Sequence, residues 1–317
     1  MPDYSEFILE IIKENFGEIK THNSNSGQLA IDCPVCSYDI KGLDKLDGRG
    51  NLEINYKKHV YRCWSCGSSH GTKGHLHKLF KRFVSPLELK QYKLFIPEEH
   101  EIIRKSSPIK LPYDFKTLNK LSDNYPPKKR ALNYLKQKRG LSDKQISDSL
   151  IGISEYGKYL NRIILPYFVN GRLIYYMGRD LTGKAKNKYE TPSGILKDTF
   201  LLNEDIIDWT SDLYLVEGGF DAIYNQKQSI ILLGKYINDY TFDLIYEKAQ
   251  GTIYICLDGD AYHDILIAFK KLNGGRLYNR IKIVDFPLDL DMGDLRGDIS
   301  SLKVFDTDEE YINYKEK

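Results

Sequence analysis

The chain has 317 residues, 41% of them hydrophobic, and a formal net charge of +2. That is enough for two or three domains with real cores, it excludes a disordered chain, and the overall charge points to no particular class of partner. No run approaches about 18 consecutive apolar residues, so no membrane-spanning helix and no membrane partner are expected.

The first segment, "MPDYSEFILEIIKENFGEIK", is acidic and amphipathic, unlike a signal peptide. Phe7, Ile8, Ile11, Ile12 and Phe16 fall on one face at helical period and predict a packing helix. Next come Cys33-Pro-Val-Cys36 and Cys63-Trp-Ser-Cys66, two C-x2-C pairs separated by 26 residues. Each pair forms a knuckle, and two knuckles on opposing hairpins give four thiolates at tetrahedral zinc. Pairs so spaced indicate a reducing compartment and structural metal rather than disulfides. Between them "LEINYKKHVYRC" alternates as ribbon strands do. His59, His70, His75 and His77 lie nearby, none at a knuckle spacing.

Charge is unevenly spread. Residues 57–110 carry 12 Lys/Arg against 4 Glu, whereas residues 285–310 carry 9 acidic residues against Arg296 and Lys303. A basic front suits a polyanion and an acidic tail suits cations; solvated faces are the plainer alternative. "RKSSPIKLP" (104–112) reads as a flexible connection. In "PPKKRALNYLKQKRGLS", Pro126-Pro127 opens a helix and Gly140 closes it. "NRIILPYFVNGRLIYYMGRD" then predicts two strands joined at Asn170-Gly171. "GRDLTGKA" (178–185) imitates a phosphate-binding P-loop, but Ala185 stands where a magnesium-binding hydroxyl is required and no helix follows. No motor domain is therefore expected.

From Asp212 onward strands and helices alternate. "LYLVEG", "SIILLG", "TIYICLD" and "RIKIVDFP" are strand-like, with "FDAIYNQ", "DYTFDLIYEKA" and "DILIAFKKL" as helices between them. Strands apolar throughout imply a mostly parallel sheet, whose sites gather at the carboxyl ends of the strands. Glu217, Asp258 and Asp260 sit at that edge, and Asp289, Asp291 and Asp294 follow the last strand. Carboxylates at this density suit magnesium or manganese. Asp221 and Asp260 taken singly also suit helix caps. Cys256, inside its strand, reads as a core residue.

The motifs "VEGGFDA", "CLDGDA" and "DLDMGD" resemble the TOPRIM domain shared by DNA primases, topoisomerases and some nucleases. The preceding "NRIILPYF…GRLIYYMGRD…NKYETPSG…LKDTFLL" looks like the basic half of a primase core, and the four-cysteine ribbon is the third primase element, in the right order. The resemblance is to a DNA primase of the bacterial or phage TOPRIM type and covers roughly residues 30–85 and 160–300. It implies an α/β chain (α+β overall): a zinc ribbon for template recognition at 1–84, a linker at 85–112, a basic subdomain at 113–208 and a TOPRIM catalytic subdomain at 209–317.

Carried over residue by residue, Glu217 is metal ligand or general base, Asp258 and Asp260 hold magnesium or manganese, and Asp221 assists. A further acidic pair falls on Asp291 and Asp294, with Asp289 competing. Arg162, Arg179, Lys188 and Lys197 match cations for template or nucleotide, and Arg62, Trp64 and His70 are the ribbon's candidate DNA contacts. The implied activity is synthesis of short RNA primers on single-stranded DNA from ribonucleoside triphosphates. A separate replicative helicase is the expected partner, in the cytoplasm of a bacterial cell and with a phage gene as one source. The rival expectations are a TOPRIM nuclease or topoisomerase-like enzyme, and a non-catalytic zinc-ribbon protein that binds single-stranded DNA.

Overall fold

A computed structural model describes residues 4–34, 48–65, 73–95, 109–195 and 197–317. The fold is mixed α+β, with three five-stranded sheets among the described residues. It divides into two compact units, Met1–Arg104 with Leu266–Ile281, and Lys105–Ile265 with Lys282–Lys317.

In the first unit, α1 (Ser5–Phe16) buries Ile8, Ile11, Ile12 and Phe16, the face expected from its period, and stops at Gly17, whose φ is +84°. Strands β1 (Ile19–Asn23), β2 (Gln28–Ile31), β3 (Leu52–Asn55), β4 (Val60–Cys63) and β5 (Lys73–His75) form an antiparallel sheet in sequence order. Helix α2 (Leu76–Phe83) follows, then α3 (Pro86–Lys93). The latter opens with a capping box in which Ser85 and Glu88 satisfy each other's backbone amides. The alternation in β2 and β3 puts Leu29, Ile31, Leu52 and Ile54 into a core with α1 and Phe80.

The register bears on the cysteines. Ile31 faces Leu52, and Leu52 faces Cys63, so Cys33, two residues past β2, and Cys63, the last of β4, lie at the same end of the sheet on either side of β3. Both are buried. Cys36, Cys66 and His70 lie outside the described residues.

The second unit begins with β6 (Lys116–Thr117) and α4 (Pro126–Asn133). That helix continues as a π-helical turn over Tyr134–Lys138 and ends at Gly140, φ +65°. Helix α5 (Asp143–Asp148), β7 (Gly152–Ser154), β8 (Arg162–Val169), β9 (Arg172–Asp180) and β10 (Tyr189–Glu190) complete an antiparallel sheet in the order β10-β9-β8-β7-β6. The β8–β9 hairpin turns at Asn170-Gly171 as expected, both residues at positive φ. The P-loop lookalike is the end of β9 and the irregular loop that follows, where Asp180 accepts hydrogen bonds from Thr182.

The third sheet carries β11 (Leu213–Val216), α6 (Gly219–Ala222), β12 (Ser229–Ile231), α7 (Asp239–Lys248), β13 (Ile253–Cys256), α8 (Tyr262–Leu272), β14 (Ile281–Asp285), β15 (Lys303–Phe305) and α9 (Asp308–Lys315). Its order is β12-β11-β13-β14-β15, with β11 parallel to β12 and β13, and β15 antiparallel to β14. The first helix is shorter than "FDAIYNQ" suggests, since α6 passes into a 3-10 turn at Ile223–Asn225. The edge strand β15 was not legible in an acidic tail. Ile163, Leu165 and Tyr175 of the second sheet share a core with Val216, Phe220, Ile231, Cys256 and Val284 of the third. This shared core holds the basic hairpin beside the carboxyl ends of the parallel strands.

Candidate active site

Parallel pairing of Val216 with Cys256 ends β11 and β13 level with each other, so Glu217 and the Asp258 turn leave the sheet side by side. Asp258 N donates to Glu217 Oε1 at 3.0 Å. Oxygens of Glu217, Asp258 and Asp260 lie within 4.8 Å of one another, a donor group that could hold a metal ion. Gly259, between the two aspartates, is required by packing: a Cβ there would meet the carbonyl oxygens of Phe286 and Pro287 at 2.5 Å. Any side chain would push the turn away from the end of β14.

The electrostatics are those of crowded like charges. Burial and the neighbouring Asp258 push Glu217 up to about 7. Asp258 is raised by burial and then by Asp291 and Asp260, with Lys235 and Lys188 opposing. Asp221 is pushed up to about 7 by burial and then by Asp291 and Asp258. Its Oδ2 accepts from Gly218 N at 2.8 Å, the helix-cap bond anticipated for this residue.

Asp291 and Asp294 are not among the three grouped carboxylates, but Asp291 is near enough to raise Asp258 and Asp221. They exchange backbone bonds, Asp294 N to Asp291 Oδ1 at 2.8 Å and Asp291 N to Asp294 Oδ2 at 3.2 Å. Both face Arg139, whose Nη1 lies 3.5 Å from Asp291 and 3.8 Å from Asp294. Asp289 is exposed. Nothing in the sequence pattern of "PPKKRALNYLKQKRGLS" singles out Arg139 for this site. The π-helical turn, closed by Arg139 N bonding Tyr134 O, turns the side chain inward, where Tyr134 Oη accepts from Nε at 3.2 Å.

Lys235 is a second residue that sequence reading missed. Leu232 N bonds Val216 O and Gly234 N bonds Glu217 O, carrying the chain past the end of β12 alongside Glu217. Lys235 Nζ then reaches Asp260 Oδ1 at 2.6 Å and stands 4.0 Å from Glu217 Oε1. The available signal was a lysine four residues beyond the second parallel strand.

The four expected cations divide. Arg179 stacks its guanidinium against Tyr189 (4.9 Å) and Tyr134 (5.7 Å), and its Nε and Nη1 find no hydrogen-bond partner among the described residues. Lys188 is near enough to Asp258 to oppose its upward shift. Lys197 reaches the carbonyl of Leu233 at 3.5 Å, next to Lys235. Arg162 instead is buried, donating to the carbonyls of Lys158, Gly178, Asn187 and Lys188, and so braces the strand that presents Lys188. In the ribbon, the Arg62 guanidinium lies 4.0 Å over the Trp64 ring, and that ring is 57% exposed.

No protein-family model matches the sequence, and no curated protein matches it. In fold, the chain is similar to DnaG-type primases. The RNA polymerase domain of Mycobacterium tuberculosis primase DnaG is 15% identical over 60% of this chain and 81% of that one, with a TM-score of 0.49. A DNA primase domain from Pseudomonas aeruginosa is 19% identical over 55% and 68%, with a TM-score of 0.45. The Aquifex aeolicus primase, comprising zinc-binding and RNA polymerase domains, is 17% identical over 99% and 90%, with a TM-score of 0.43.

Proposed function

We propose that this chain is a DNA primase that builds short RNA primers on single-stranded DNA by nucleotidyl transfer. The observation that carries the reading is the group of Glu217, Asp258 and Asp260 at the end of a parallel sheet, with Lys188 near enough to oppose the upward shift of Asp258. The donor set fits a hard divalent cation: three carboxylates lie together, and burial, then neighbouring carboxylates, raise Glu217 and Asp258. Glu217, Asp258 and Asp260 would hold magnesium or manganese, which supplies positive charge for phosphoryl oxygens and acidifies an attacking hydroxyl.

The protein's own residues do the rest. Arg179, whose Nε and Nη1 are buried and unpaired beside two tyrosine rings, would supply positive charge for template or nucleotide. Lys188 and Lys197 hold the template strand or a triphosphate electrostatically. Glu217, near neutral in pKa, serves as ligand when ionised and otherwise can take up a proton at a carboxylate oxygen. Asp291 and Asp294, paired on Arg139, are further candidates to hold the metal. In the ribbon, Cys33, Cys36, Cys63 and Cys66 would bind structural zinc, and Arg62 with Trp64 would contact single-stranded DNA. A separate replicative helicase is the proposed partner, and the bacterial cytoplasm, with a phage gene as one source, the proposed setting.

The test is primer synthesis on single-stranded templates with labelled ribonucleotides and magnesium. Short labelled products are expected from the wild type, with a loss of at least about a hundredfold in Asp258→Ala at nearly unchanged template binding. Template cleavage that disappears with Asp258 would favour a nuclease instead. Binding without any Asp258-dependent chemistry would leave a single-stranded DNA-binding protein.

A further inference from the structure

The contact between Lys235 and Asp260 lies inside the group that would hold metal. Asp260 Oδ1, one of few oxygens able to complete a cation's shell here, is engaged by the ammonium at 2.6 Å. The lysine side chain is 32% exposed and the aspartate 68%, so neither is locked by packing. A divalent ion and this lysine therefore seek the same oxygen, and a lysine displaced from it remains on the rim of the site with its charge unspent.

Resting on the reading of this edge as a metal-dependent nucleotidyl-transfer site, we infer that Lys235 is an exchangeable counter-cation and a positioning residue. It holds Asp260 in the metal-free protein, yields that carboxylate when the metal enters, and then pairs with the phosphate anion bound beside the metal. Metal occupancy and anion occupancy are thereby coupled. A permanently paired structural lysine would produce neither effect. Arginine at this position keeps the charge and should preserve the coupling in part.

The experiment is a thermal-shift titration of the full chain with magnesium alone, and then with magnesium plus inorganic pyrophosphate. Wild type, Lys235→Met, Lys235→Arg and Lys188→Met are compared. Removing the lysine is expected to lower the magnesium midpoint about two- to fivefold, the range for an ion pair of this exposure. It is also expected to abolish the extra stabilisation that pyrophosphate adds in the wild type. Lys235→Arg should keep that added stabilisation. An unchanged or higher midpoint in Lys235→Met overturns the exchange. An equal shift in Lys188→Met overturns it too, since a general field rather than the Asp260 contact would then be responsible. Pyrophosphate stabilisation that survives in Lys235→Met overturns the coupling. Failure of wild type to make primers, with these shifts intact, would remove the primase reading and leave the role of Lys235 standing.

Discussion

Glu217 and Asp221 are held near pKa 7, against ordinary values of 4.5 and 3.8, chiefly by burial and secondarily by neighbouring carboxylates. A folded-state pKa above the unfolded one contributes stability that is full below the unfolded value and is lost as pH rises through the folded value. The metal-free protein should therefore lose thermal stability steadily from about pH 4.5 to beyond 7. Magnesium should restore more of it at pH 8 than at pH 6. Melting curves with and without metal check this, and Glu217→Gln should flatten the metal-free slope; a pH-independent difference between the two proteins would contradict it. Arg139 makes a complementary case. Its side chain is 9% exposed between Asp291, Asp294 and the face of Phe220. Arg139→Met should cost about 1–3 kcal/mol, because it leaves two neighbouring carboxylates without their counter-ion. Denaturant unfolding at neutral pH measures the loss, which added magnesium should reduce.

Elements were easier to foresee than the joints between them. The period of α1, the Asn-Gly hairpin of β8–β9 and the apolar strands β11, β12, β13 and β14 were legible because each is dictated by local pattern. The grouping of Glu217, Asp258 and Asp260 followed from strand ends alone. Arg139 and Lys235 were not legible, since one depends on a π-helical turn and the other on how far β12 carries the chain before it bends. Tyr167 was invisible for the same reason. A Cβ on Gly219 would fall on the Tyr167 hydroxyl and press on Met177, so β8 and β9 seat directly against the backbone that follows Glu217. Gly219→Ala should destabilise the protein by about 1–3 kcal/mol through this overlap. Tyr167→Leu in the same chain should recover part of that, giving a coupling of about 1 kcal/mol or more in a double-mutant cycle. Strictly additive effects would mean that the two positions do not press on each other.

At the scale of the whole molecule, the two larger apolar cores among the described residues differ in build. The core of Lys105–Ile265 with Lys282–Lys317 is built from two sheets, whereas the sheet β1–β5 has short strands and a smaller core around α1 and Phe80. A small module of this kind gains much from a metal, because structural zinc contributes on the order of 10–16 kcal/mol of apparent binding free energy in small zinc-finger peptides. The register that places Cys33 and Cys63 at one end of that sheet gives such an ion something to tie together: the strands on either side of β3. Zinc removal should then act locally. After treatment with a strong zinc chelator, amide hydrogen exchange should accelerate across β1–β5, while β8, β9, β11 and β13 keep their protection. Cys63→Ser should reproduce the pattern without chelator and lower the zinc content of the purified protein. Protection lost evenly across both cores would show a single cooperative structure, and protection unchanged everywhere would show that the thiolates hold no structural ion.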